Sequence, residues 1–222
     1  MSALRKCLPL PLIALCILSG CVSTKIAPVD RTVLSGFHGG SMVIAQREKP
    51  SFSAATAGKA AFALIGAAAM ISSGNAIVRE NEIPDPAVHI GQTLASDLVN
   101  DDALTLVQST STAETMDIAR LAKEYAAADL LLDVQTINWS FVYFPTNWAH
   151  YRVIYSAKLR LIDTRHAKLI ADGFCGHVPE ETADAPTRDE LLQNGAARLK
   201  QELTTAADYC INEFRTRVLR KA

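Results

Sequence analysis

The chain has 222 residues, with 22 basic and 23 acidic side chains, a net charge of −1 and an apolar content of 49%. A chain of this length can bury a sizeable core in one domain without further covalent or metal cross-links. The near-neutral charge and the lack of a basic stripe argue against nucleic acid as a partner. No block of like charges suggests a binding tail.

The first 20 residues are arranged in three zones. Arg5 and Lys6 form a basic start, an apolar run follows from Leu8 to Leu18, and two small residues precede Cys21. This order is typical of a secretory signal peptide. The apolar run contains two prolines and is too short to span a hydrocarbon layer of ~30 Å at ~1.5 Å per residue, which disfavours a transmembrane anchor.

The residues Leu18-Ser19-Gly20-Cys21 resemble the bacterial lipobox. The resemblance implies that the signal peptide (residues 1–20) is removed and that Cys21 carries a diacylglycerol, usually with an N-acyl chain, built from fatty acids such as palmitate. Two or more acyl chains hold a protein firmly on a membrane. Val22 stands where enterobacterial lipoproteins retained at the inner membrane have aspartate. For an enterobacterial protein this implies the periplasmic face of the outer membrane, whereas in other bacteria the rule is looser.

The remaining cysteines form one pair. Cys7 and Cys16 leave with the signal peptide and Cys21 takes lipid, so Cys175 and Cys210 are left in a mature chain of 202 residues with a net charge of −3. Accessible thiol pairs are oxidised in the periplasm. We therefore predict a disulfide bond between them, the alternative being two buried thiols.

The mature chain divides into three parts. Residues 21–41 are rich in Ser, Thr, Gly and Pro, which predicts a lipidated flexible tether that lets the body stand off the membrane. Residues 42–84 contain a short strand at Met42–Ala45 and an apolar segment rich in Ala and Gly. Residues 85–222 carry the signals of an α/β periplasmic domain.

The apolar segment at residues 60–78 has no charged side chain. As a helix it would reach ~28 Å, just enough to cross hydrocarbon. Gly58, Gly66 and Gly74 recur every eight residues, and they would share a face on which two helices could pack closely. Two interpretations remain open. The segment is either a buried Ala-rich helix or loosely ordered hairpin, or a membrane-inserted or self-associating helix.

Capping signals place the helices of the α/β domain. Asp85 and Pro86 predict a helix start, and a short strand follows at Leu104–Val107. Ser111 with Glu114 reads as a capping box for a second helix. Thr187 with Glu190 reads as another, opening a long C-terminal helix whose apolar residues recur at spacings of three and four.

Three strands lie between the second and third of these helices. The first, from Leu130, changes phase near Gln135-Thr136, which predicts a bulge. The second, Tyr151–Leu161, alternates regularly between apolar and polar residues, and the third runs from Leu169 to Val178. The predicted fold is α/β (α+β): a single mixed sheet with a C-terminal three-stranded meander, helices packed on one face, and a long C-terminal helix.

The region of residues 85–215 resembles a group of periplasmic modules. The resemblance lies in the order of elements and in one hairpin, Leu159-Arg160-Leu161-Ile162-Asp163-Thr164 followed by Lys168-Leu169-Ile170-Ala171-Asp172-Gly173. It is similar to the soluble domain of the curli-secretion lipoprotein, to lipoprotein activators of penicillin-binding proteins, and to the N-terminal domain of the Tol-system propeller protein. The resemblance implies a role in binding and assembly.

Signals for catalysis are sparse. No Gly-rich phosphate loop occurs, no two carboxylates are placed for acid–base work, and no cofactor is implied. His150 and His177 would fall toward the same strand ends if the last hairpin turns near Arg165. The two residues are then either ligands of a metal ion or ordinary surface or capping histidines.

Six aromatic residues crowd into 13 positions around the turn Pro145-Thr146-Asn147. Such a cluster is either a face covered by a helix, or an exposed tip that meets a partner, a glycan or lipid headgroups. The candidates for partner binding are Trp139, Phe141, Tyr143, Phe144, Trp148 and Tyr151.

These observations lead to two hypotheses. The first is a lipoprotein anchored in the outer membrane through Cys21, with a binding, scaffolding or assembly role, either alone or as a homo-oligomer. Its partner would be an envelope protein or peptidoglycan. The second is a periplasmic enzyme or metal-binding protein that uses His150 and His177.

Overall fold

The computed structural model describes residues 26–60 and 63–220, with the side chains of 59–65 left out. The signal peptide and Cys21 therefore lie outside the described residues. The helices are α1 (Arg31–Ser35), α2 (Ala57–Ala60), α3 (Ala63–Glu80), α4 (Pro86–Asp102), α5 (Ile118–Glu124) and α6 (Arg188–Arg217). The strands are β1 (Ser41–Ile44), β2 (Ser53–Ala55), β3 (Thr105–Val107), β4 (Leu130–Phe144), β5 (Asn147–Asp163) and β6 (Lys168–His177).

All six of these strands belong to one mixed sheet, as predicted. The order is β3-β1-β4-β5-β6. The strands β3, β1 and β4 run parallel, and β4, β5 and β6 form the antiparallel meander. The long strand β4 pairs with β1 near its start and with β2 near its end, both in parallel and on the same side.

The two large helices α4 and α6 cover one face of the sheet and enclose the main core. Their predicted starts are confirmed. The Asp85 carboxylate accepts a hydrogen bond from the Ala87 N–H at 2.9 Å, and Thr187 and Glu190 form a complete capping box. The helix α6 is interrupted between Gln193 and Ala196, where the backbone leaves helical geometry.

The helix α5 is the exception to the predicted one-sided packing. Its Leu121 and Tyr125 belong to a second cluster with Val43, Leu131 and Ile162, on the opposite face of the sheet. The capping box predicted at Ser111 and Glu114 is wrong, because α5 begins at Ile118 with Asp117 as its N-cap. The chain near Ser111 is extended instead, since Thr112 bridges to Gln46 in parallel.

The predicted bulge in β4 is confirmed, one residue further along. The register against β5 shifts between Thr136 and Asn138. The extra residue, Ile137, is exposed, whereas Trp139 and Phe141 return to the buried face. A bulge allows this change of phase without ending the strand.

Residues 26–40 are folded onto the body, so the flexible tether predicted for residues 21–41 is wrong in this part. Val29, Leu34 and Phe37 are buried in the main core. Ala27 forms a bridge with Asp172 on the outer edge of β6. The composition suggested a flexible linker. The segment folds onto the domain because the burial of these three apolar side chains offsets the entropy lost when the backbone becomes ordered.

Cys175 on β6 and Cys210 on α6 form the disulfide bond that the sequence predicts. Their Cα atoms lie 5.5 Å apart, and both residues are buried. The bond therefore joins the C-terminal helix to the last strand inside the main core.

Residues 63–78 of the apolar segment lie in α3, which packs on β2. Within the described residues, no helix is long and apolar enough to cross a membrane. Gly66 and Gly74 are both buried, and Gly58 is exposed. Asn75, the polar residue of the segment, accepts a hydrogen bond from the Phe52 N–H at 2.8 Å. The side of α3 that carries Gly74 and Asn75 therefore packs within the monomer and is not free for a second helix.

Gly74→Ala should destabilise the protein, because a Cβ atom at position 74 would lie 2.1 Å from the carbonyl oxygen of Phe52. Overpacking of this kind costs about 1–3 kcal/mol of unfolding free energy. The matched control is Gly58→Ala, where no atom of the described part of the chain lies within 4 Å of the added Cβ. Replacing a glycine inside a helix by alanine raises the free energy of unfolding by roughly 0.5–1 kcal/mol. Urea unfolding would measure the free energy of unfolding of both variants. An equal change at positions 74 and 58 would contradict the close packing of Gly74 against Phe52.

Candidate functional site

A crevice lies beyond the carboxyl ends of β1 and β3. From β1 the chain continues, by way of β2 and α3, to α4 on one face of the sheet, whereas from β3 it continues to α5 on the opposite face. In open α/β sheets ligands bind where the connections of neighbouring parallel strands diverge in this way. Here the crevice has a volume of about 400 Å³, and the first turns of α4 form one of its walls.

The lining of this crevice combines seven apolar residues with six polar ones. Val88 of α4 and Leu106 of β3 both line it, and they are 56% and 39% exposed. The side-chain amides of Gln46, Gln92 and Gln108 also line it. In ligand sites apolar walls supply contact area, and hydrogen-bonding groups fix the orientation of the ligand.

Asp85 lines the crevice, but its carboxylate is already engaged by the chain itself. It accepts the Thr136 hydroxyl at 2.5 Å and the Ala87 N–H at 2.9 Å. Thr136 therefore accepts the hydroxyl of Tyr155, 3.0 Å away. Burial raises the pKa of Tyr155, so this hydroxyl stays protonated and keeps donating. The chain of bonds joins the start of α4 to β4 and β5.

Arg47 lines the crevice too and extends to a buried ion cluster. Its Nε lies 2.6 Å from one carboxylate oxygen of Asp133, and Nη2 of Arg160 lies 2.5 Å from the other. The two guanidinium groups also donate to the carbonyl oxygens of Ala113, Thr115 and Met116. The cluster thereby ties the segment between β3 and α5 to the open face of the sheet.

The thirteen residues that line the crevice include no histidine, cysteine or lysine. Their only carboxylate and only guanidinium, Asp85 and Arg47, both have partners within the chain. The hydroxyl oxygen of Ser109, also in the lining, accepts a hydrogen bond from the Ser111 N–H at 3.1 Å. The sequence contains a weak signal for the crevice, since Val88 is an apolar residue of α4 that lies off the buried face formed by Ala87, Ile90 and Leu94.

The aromatic cluster divides into buried and accessible rings. Four of the six predicted partner-binding residues are buried, which removes them as candidates: Trp139, Phe141, Phe144 and Tyr151. They pack instead as core, in part around Phe52 of the segment before β2. Trp148 is 67% exposed and Tyr143 is partly exposed, with ring centroids 6.4 Å apart. Only these two can meet a partner.

His150 and His177 do not share a site. Tyr155 is the residue of β5 that pairs with His177, and His150 lies five residues from it, about 16 Å along the strand at ~3.3 Å per residue. The ring centroids of His177 and Tyr209 lie 5.0 Å apart. Burial lowers the pKa of His177, and the negative charge of Glu202 opposes this shift. Among the described residues, no group of three or more His, Cys, Asp or Glu side chains could hold a metal ion.

No family model and no curated protein matches the chain. Among solved structures, the chain is similar to a neuraminyllactose-binding hemagglutinin homolog from Helicobacter pylori, at 10% identity and a TM-score of 0.41, over 83% of this chain and 86% of that one. It is also similar to lipoprotein GNA1162 from Neisseria meningitidis, at 15% identity and a TM-score of 0.30, over 78% and 99%. A third similar structure is the LpoB C-terminal domain from Salmonella enterica, at 12% identity and a TM-score of 0.25, over 68% and 96%.

Asp133→Asn should strongly destabilise the protein, because it leaves two guanidinium groups beside a buried position without a counter-charge. Breaking a buried ion pair from one side costs about 3–5 kcal/mol. Asp117→Asn is the matched control, since Asn and Asp are equally good N-caps and Asp117 is exposed. We would compare the two by urea unfolding. A small loss at position 133, similar to that at position 117, would show that the cluster contributes little.

Proposed function

We propose that this chain is a lipoprotein held on the periplasmic face of the outer membrane by lipid on Cys21, and that its α/β domain binds another component of the cell envelope. The observation that carries the anchor is Leu18-Ser19-Gly20-Cys21 at the end of a signal-like segment. Lipid chains would supply membrane attachment without a spanning helix.

The crevice supports a binding role and favours an envelope protein over peptidoglycan as the partner. The strand β3 is the last strand of the sheet on its side, so its outer backbone groups face away from β1. An extended protein segment can add to such an edge by main-chain hydrogen bonds, while one of its side chains fills a neighbouring pocket. Leu106 and Val88 stand beside that edge and offer apolar contact.

The hairpin tip is a second contact surface in this proposal. The indole N–H of Trp148 donates to the Pro145 carbonyl at 3.0 Å, so the exposed ring is held in place. Tyr143 supports it from the neighbouring strand. A large aromatic ring that is ordered before binding loses little entropy on association, and such rings often dominate interface energies.

Cys21→Ser should abolish incorporation of labelled palmitate and leave a precursor with an uncleaved signal. The matched control is Cys16→Ser, which removes a cysteine of the signal peptide outside the Leu18–Cys21 motif and should leave labelling unchanged. Labelling in growing cells, followed by gel analysis of the precursor and mature forms, checks both. Equal labelling of wild type and Cys21→Ser would disprove the anchor.

A photoreactive amino acid at Leu106 should form adducts with an envelope protein in intact cells. The control position is Val33 on α1, which is 38% exposed against 39% for Leu106, and which lies beyond the other end of β1. Mass spectrometry would identify the attached protein, and a second copy of this chain would indicate a homo-oligomer. Equal adducts at both positions, or none at Leu106, would contradict binding at the crevice.

A further inference from the structure

We infer that the bilayer faces the β6 edge of the sheet at close range, so that the crevice at the β3 edge opens away from the membrane. The inference rests on the lipid anchor proposed above for Cys21. It concerns how the folded domain sits on the lipid surface and from which side a partner reaches it.

The first step is the attachment of the N-terminal segment to the domain. The Ala27 N–H donates to the Asp172 carbonyl at 2.8 Å, and the Asp172 N–H donates to the Ala27 carbonyl at 2.9 Å. The Val29 N–H donates to the Val218 carbonyl at 2.8 Å, and the Val29 side chain is fully buried. The chain is therefore held between the outer edge of β6 and the end of α6.

The second step is the short distance along the chain between this attachment and the lipid. From Cys21 to Ile26 there are five Cα–Cα steps, and a fully extended chain covers at most ~3.6 Å per residue. The lipidated residue is therefore within about 18 Å of Ile26, whatever path the intervening residues take. Ile26 packs against the main core, so the domain cannot stand off the membrane on a long tether.

The third step is the position of the crevice in the sheet. Four strand spacings separate β6 from β3 in the order β3-β1-β4-β5-β6. At ~4.8 Å per spacing, the β3 edge lies about 19 Å further from the anchored edge. The partner of the crevice is therefore a component that approaches from the periplasmic side, and not a lipid of the anchoring leaflet.

The experiment uses the lipidated full-length protein in vesicles of phosphatidylethanolamine and phosphatidylglycerol that contain a nitroxide-headgroup lipid. A fluorophore is attached at Thr216→Cys, two residues before Val218, or at Thr105→Cys on β3. Both threonines are exposed, and the disulfide keeps Cys175 and Cys210 from labelling. We expect a large loss of fluorescence at position 216 and a small one at position 105. Equal losses, or a larger loss at position 105, would overturn the inference.

A second variant tests whether the short connection causes this orientation. An insertion of about 20 Gly and Ser residues after Val22 adds a flexible chain with a root-mean-square reach of ~25 Å. The loss of fluorescence at position 216 should then fall toward that at position 105. If it stays unchanged, the β6 side binds lipid by itself, and the short connection is not the cause of the orientation. Palmitate labelling distinguishes a failure of the anchor from a failure of the orientation. A protein that takes up no label refutes the anchor. A labelled protein without the expected quenching pattern refutes only the orientation.

Discussion

Asp133 is the charge on which the first half of the sheet depends. Its side chain has no exposed surface, and it is neutralised by Arg47, which follows β1, and by Arg160 of β5. A carboxylate buried in this way is tolerated only with close ionic and hydrogen-bonding partners. Because the same guanidinium groups hold the carbonyls of residues 113–116, one buried charge sets the positions of β1, β4, β5 and the segment before α5. On that face α5 covers the cluster around Leu121 and Tyr125.

The length of β4 imposes a second constraint. Its 15 residues exceed what β1 can pair with, and β2 occupies the same side further along. Between the two paired stretches lie the bulge after Thr136 and the hydrogen bond from the Thr136 hydroxyl to Asp85. The bulge lets one strand serve both the parallel half of the sheet and the long hairpin that carries Trp148. The crevice and the hairpin tip are thus two separated surfaces on one rigid strand framework.

The two ends of this framework have different relations to the membrane. The N-terminal segment is paired with β6 next to the proposed lipid anchor, whereas no strand among residues 26–60 and 63–220 pairs with the outer side of β3. Pairing by Ala27 covers part of the β6 edge, and unprotected edges are prone to unwanted strand addition. The edge that remains open is the one beside the crevice. This asymmetry agrees with a domain that is held by one side and binds by the other.

Local signals in the sequence determined much of this protein. The starts of α4 and α6, the strands of the meander and the bulge follow from caps and periodicity, because these features depend on residues close in the chain. The Cys175–Cys210 pair follows from the count of cysteines, because only two remain in the mature chain once Cys21 takes lipid. Tertiary structure decided the rest. Only long-range packing shows that Val29 belongs to the core, that four aromatic rings are buried, and that His150 and His177 lie apart. The crevice could not be predicted either, since its walls come from β1, β3, β4 and α4, and only the register of the sheet brings them together.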